Sequence, residues 1–109
     1  MIKKLCIFTF SYSPNRQVML NYLEKIFPKD VEFFLFTTKA HKNFYKLDKI
    51  KVVDTDCSKI EAFTALRAFC KRNKIQRVIS LGLLPYEEFV LLFSTLASDT
   101  DFLYFNLGN

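Results

Sequence analysis

The chain has 109 residues, 50% of them apolar and 25% charged, with 13 phenylalanines, two glycines and three prolines. That length supplies a single domain with a core of its own, and the composition excludes disordered, collagen-like, low-complexity and turn-dense all-β architectures. A formal net charge of +5 points to anionic partners without choosing among nucleic acid, a membrane surface and an acidic glycolipid.

Residues 5–10 form a continuous apolar, β-prone run, the pattern of a parallel strand covered on both faces. Lys3 and Lys4 ahead of it imitate an export signal, but the run is shorter than the about 7–15 residues that such a signal needs and no small-residue cleavage site follows. No apolar run approaches the roughly 20 residues required to cross a bilayer. The expectation is a cytoplasmic protein, with peripheral contact on the inner membrane face left open.

After a polar break at 11–15, Ser13 before Pro14 fits a helix N-cap with proline in the first turn. Val18, Leu20, Tyr22, Leu23, Ile26 and Phe27 then give an apolar helical stripe, closed by Pro28, Lys29 and Asp30. Residues 31–38 and 50–54 read as strands. Between them, 39–49 is basic and aromatic without helical period. Ser58 and Glu61 form a capping box for a second helix bearing Ile60, Phe63, Leu66, Phe69 and Cys70 on one side, with Lys71, Arg72 and Lys74 at its carboxyl end. Residues 77–81 are a fourth strand ended by Gly82. Pro85, Glu87 and Glu88 open a third helix with Phe89, Leu92, Phe93 and Leu96 as its buried row; residues 99–101 turn, and 102–106 are a fifth strand. The alternation predicts an α/β fold: a Rossmann-like, doubly wound, mostly parallel five-stranded sheet with helices on both faces.

In such sheets ligands sit beyond the carboxyl ends of the strands. Three segments fall there, naming as binding candidates Ser11, Tyr12, Ser13, Asn15 and Arg16, then Gly82, then Asn106, Gly108 and Asn109. Hydroxyls at a helix amino terminus beside Arg16 can hold an anion, although a helix cap and a solvated arginine account for the same residues. The loop contains no glycine, so neither a dinucleotide fingerprint nor a nucleotide P-loop fits, and the domain is expected to bind no cofactor.

Lys39, Lys42, Lys46, Lys49 and Lys51, interleaved with His41, Phe44 and Tyr45, concentrate the positive charge. They suit an anionic membrane or acceptor, or simply a soluble sheet edge. No helix-turn-helix or RNA-binding aromatic signature accompanies them, so nucleic acid is not expected. Asp54 and Asp56 read as a ligand pair or as turn formers. His41 is the single histidine, which excludes a multi-histidine metal site; no metal is expected. Cys6, Cys57 and Cys70 read as small buried apolar groups in a reducing compartment. No internal constellation amounts to a complete catalytic site.

The order of strands and helices, with Phe33-Phe34-Leu35-Phe36-Thr37-Thr38 and Asn43-Phe44-Tyr45-Lys46, then Ile75-Gln76-Arg77-Val78-Ile79-Ser80-Leu81, Phe93-Ser94-Thr95-Leu96 and Phe105-Asn106-Leu107-Gly108-Asn109, carries a family likeness. In that order the chain resembles the N-terminal lobe of a GT-B glycosyltransferase, and in those stretches it is similar to the bacterial lipooligosaccharide sialyltransferase group. The resemblance implies transfer of a sugar, sialic acid among the candidates, from a nucleotide-sugar donor to a cell-surface saccharide or glycolipid acceptor in lipooligosaccharide biosynthesis. It also implies that residues 1–109 are the acceptor-side half of a longer two-domain protein, inactive alone, whose partner is a C-terminal lobe; self-association is left open. The family places an acidic base after the fifth strand, where this sequence has Asn106 and Leu107, so no catalytic residue carries over. Ser11-Tyr12-Ser13-Pro14-Asn15-Arg16 also resembles a flavodoxin phosphate loop, with Pro14 and Arg16 as departures. That similarity implies an FMN-binding domain; a non-catalytic interaction domain is the third reading.

Overall fold

Strand β1 (Lys4–Phe8) leads into helix α1 (Pro14–Ile26), strand β2 (Glu32–Phe36), a 3-10 turn (Lys42–Phe44), strand β3 (Lys51–Val52), helix α2 (Ala62–Asn73) and strands β4 (Arg77–Leu81) and β5 (Asp101–Phe105). The computed structural model describes residues 3–10, 12–81 and 101–105. All pairings are parallel and the sheet runs β3-β2-β1-β4-β5. The expected third helix from Pro85 lies outside the described residues.

The apolar runs become strands because both of their faces are covered. Leu5 and Ile7 of β1 pack with Phe33 and Leu35 of β2 beneath Leu20 of α1. The alternate residues Cys6 and Phe8 pack with Phe36 and Val78 beneath Ala62, Leu66 and Cys70 of α2. The two helices therefore sit on opposite faces of the sheet, as a doubly wound fold requires. Register is fixed by this alternation, with Cys6 opposite Phe34 and Val78, and Ile7 opposite Leu35 and Ile79.

Local signals explain both the helix ends and the corrections to them. Ser13 has extended backbone and its hydroxyl accepts the Arg16 N–H at 3.2 Å, with Pro14 next, so α1 starts where the sequence indicates. Its apolar stripe is not one face. Leu20 is buried, whereas Val18, Tyr22 and Ile26 face outward. At 100° per residue the six expected apolar positions spread over two arcs, and only one meets the sheet. The Ser58–Glu61 contact exists, with the Glu61 carboxylate accepting from Ser58 N–H (3.2 Å) and hydroxyl (2.9 Å), which hold it below the ordinary glutamate pKa. It closes a turn ahead of α2 and does not cap it, which leaves Ile60 93% exposed rather than on the buried side. At the other end Lys71 and Arg72 lie in the last turn, and Lys74 adopts the left-handed conformation (φ 55°, ψ 46°).

The β2–β3 connection contains no α-helix, as its lack of period predicts, and α1 holds it in place. Gln17 Nε2 donates to the Lys46 carbonyl (2.8 Å) and Gln17 Oε1 accepts the Lys46 N–H (2.9 Å). Asn21 also donates to that carbonyl (3.3 Å), and the Glu24 carboxylate accepts the N–H groups of Lys49 and Ile50. Gln17, Asn21 and Glu24 stand at i, i+4 and i+7, a polar stripe facing one segment of chain. β3 is reduced to two residues at the sheet edge, short of the expected 50–54, although Val53 N–H still reaches the Leu35 carbonyl (2.9 Å).

Candidate functional site

In the order β3-β2-β1-β4-β5 the direction of strand succession reverses between β1 and β4. Brändén-type crevices open at the carboxyl ends of the strands at that switch point. Of the segment after β1, residues 9–10 and 12–16 stand there beside residues 37–45, which follow β2.

Their side chains form an aromatic and hydroxyl rim. Tyr12 stacks on Tyr45 (centroids 5.1 Å apart, 26°) and lies 5.8 Å from Phe44, whose ring is 55% exposed; His41 meets Phe44 edge-on at 5.7 Å. The Arg16 guanidinium hydrogen-bonds the Tyr45 hydroxyl. Burial pushes the Tyr45 phenol up to about 12 against the pull of Arg16, so the hydroxyl keeps its proton at neutral pH. Thr38 Oγ1 donates to the Phe10 carbonyl and lies 3.2 Å from His41 Nδ1. The tautomer of the His41 ring decides which of the two groups donates in that contact.

Two hydroxyls complete this edge. Thr37 Oγ1 and Ser80 Oγ are buried with no hydrogen-bond partner among the described residues. By strand alternation Thr37 continues the Phe33 and Leu35 row on the α1 face. Ser80, opposite Phe8, lies on the α2 face. Buried unpaired hydroxyls are costly, and these two stand near the carboxyl ends of β2 and β4 on opposite faces of the sheet.

Of the sequence-predicted site residues, Tyr12, Ser13, Asn15 and Arg16 come together on the β1–α1 segment. Ser13 is occupied as a cap, Arg16 is engaged by Tyr45, and Asn15 is exposed. Ser11, Gly82, Asn106, Gly108 and Asn109 lie outside the described residues. The carboxyl ends of strands 1, 4 and 5 do not point to Thr37 and Thr38, and the sequence places His41, Phe44 and Tyr45 only in the basic run; the same rule applied to the apolar run ending in Thr37-Thr38 brings all five to this edge.

The basic run is less available than its composition implies. Lys42 bonds the Asp54 carboxylate and lies 3.8 Å from Asp56, which raises its pKa while Lys42 lowers that of Asp54. Asp54 and Asp56 thus hold a lysine. Lys51 is paired with Glu32 at 3.4 Å. Cys6, Cys57 and Cys70 are free and buried, and burial raises the Cys6 thiol well above its usual pKa and Cys70 to about 12, so neither of these two is an activated nucleophile. No cluster of three metal-ligating side chains occurs among the described residues. A groove lined by Phe27, Val31, Phe33 and Ile50 opens at the amino ends of β2 and β3, away from the switch point. No helix among the described residues is long and apolar enough to cross a membrane.

Comparison with protein-family models, with curated proteins and with solved structures finds no match.

Proposed function

We propose that this chain is the acceptor-side lobe of a GT-B glycosyltransferase that moves a sugar from a nucleotide-sugar donor to a surface saccharide, with a sialic acid donor as the specific form. The single observation that carries this reading is the exposed Phe44 ring beside Tyr12 and His41 at the switch point of a β3-β2-β1-β4-β5 sheet. Aromatic faces flanked by a few polar groups are what a sugar ring needs: apolar C–H faces stack, and hydroxyls find donors and acceptors. His41 Nε2 takes the proton of the acceptor hydroxyl as it attacks the donor's anomeric carbon and the nucleotide leaves. That role replaces the carboxylate missing at Asn106 and Leu107.

The flavodoxin alternative is disfavoured by the same order, since flavodoxin-like sheets run 2-1-3-4-5 and here β3 lies outside β2. Titration with a lactose-terminated oligosaccharide should shift the backbone amide signals of Tyr12, His41 and Phe44, and Phe44→Ala should weaken that binding about tenfold through the lost stacking. In the two-lobed parent, His41→Asn should lower turnover at least about a hundredfold with little change in acceptor affinity. FMN shifting these signals while saccharides leave them in place would overturn the reading.

A further inference from the structure

Helix α1 carries an apolar ridge that the sheet does not use. Val18, Tyr22 and Ile26 follow one another at four-residue spacing with 69%, 60% and 55% of their surfaces exposed. At 1.5 Å per residue they form a ridge about 12 Å long, parallel to the helix axis. Lys25 is exposed on the same arc, and Lys29 is exposed just past the helix end. The segment bearing Lys46 and Lys49, both exposed, is bonded along the flank of α1 by Gln17, Asn21 and Glu24, so it borders the ridge. Glu24, the acid of α1, is buried and bonded. Asp30, Glu32 and Asp48 are the neighbouring exposed acids; Glu32 is paired with Lys51, which leaves two against the four lysines.

We propose that this face of α1 docks on an anionic bilayer, with Val18, Tyr22 and Ile26 entering the boundary between headgroups and acyl chains and the lysines lying over anionic headgroups. The observations behind it are independent of the sugar-transfer reading and involve none of the residues at the strand ends. A shallow convex ridge with a tyrosine at its centre needs no shaped groove in its partner, which a lipid surface satisfies. A second copy of the chain would bring like charges together against a net charge of +5. A nucleic-acid backbone would leave the apolar ridge unburied.

The test is cosedimentation of the 109-residue chain with vesicles of phosphatidylcholine alone and with phosphatidylglycerol added. Binding is expected with the anionic vesicles only, falling as salt rises. Lys25→Gln and Lys49→Gln should each weaken it about fivefold. Val18→Ser combined with Tyr22→Ser should abolish it while leaving the thermal melt unchanged, because both positions are exposed; Ile60→Ser, an exposed apolar residue elsewhere, should leave binding unaltered. No binding to either vesicle, equal binding to both, or equal loss with Ile60→Ser overturns the proposal. A dimer in solution that Tyr22→Ser dissociates also overturns it and reassigns the ridge to a second copy.

Discussion

Lys74 closes α2 in a conformation that suits glycine. Its own N–H and that of Ile75 both return to the Cys70 carbonyl, so the left-handed turn satisfies a helix-end acceptor at the expense of a crowded Cβ. Lys74→Gly removes that crowding and should stabilise the fold by about 0.5–1 kcal/mol, read as a rise in the thermal midpoint. A β-branched residue at 74 should lower it. Thr37 presents the opposite case, a hydroxyl buried without a partner. Thr37→Val keeps the shape and deletes the unpaired group, which should stabilise by about 1 kcal/mol in urea melts. If a saccharide hydroxyl uses Thr37, the same variant binds it more weakly, so stability and affinity move in opposite directions.

At the scale of elements, α1 does two jobs with two stripes. Leu20 anchors it to the sheet, and Gln17, Asn21 and Glu24 hold a stretch of chain that has no helix of its own. Burial pulls the Glu24 carboxyl up in pKa, but hydrogen bonds from the Ile50 and Lys49 amides and from Asn21 outweigh it, and the group sits below its ordinary value. A depressed folded pKa means stability that is present above the unfolded glutamate value of about 4.3 and is lost as pH falls through the folded one. Glu24→Gln should therefore lower stability near neutrality, and its difference from wild type should shrink in urea melts taken at about pH 3. The sequence displayed this stripe at i, i+4 and i+7, yet polar residues on a helix read by default as solvent-facing. Apolar positions are ambiguous for the same reason: Val18, Tyr22 and Ile26 have helical spacing among themselves and with Leu23, and periodicity alone does not say which arc meets the core.

For the whole molecule, the runs at β1, β2 and β4 were legible because burial on both faces demands unbroken apolar stretches. The parallel doubly wound character followed from their alternation with helices. What was not legible was the order in which strands sit side by side, because the hydrophobic pattern of a strand does not encode its neighbour. The candidate site depends on that order. Tyr12 and Arg16 could be named from the loop after β1, but their meeting with His41, Phe44 and Tyr45 exists only because β2 lies next to β1, some 30 residues apart along the chain. The Ser58–Glu61 pair was legible as a contact and misplaced as a cap, since the helix begins a residue beyond Glu61.

The polar grip of α1 on residues 46–50 ties the opening of that segment to the helix rather than to the strand it leads into. The amide protons of Lys49 and Ile50 should then exchange with deuterium in the same cooperative unit as α1, while that of Val53, bonded to the Leu35 carbonyl, follows β2. Any event that loosens α1, including its release from a surface, would be felt first as slack in the strand-linking segment that carries Phe44 and Tyr45.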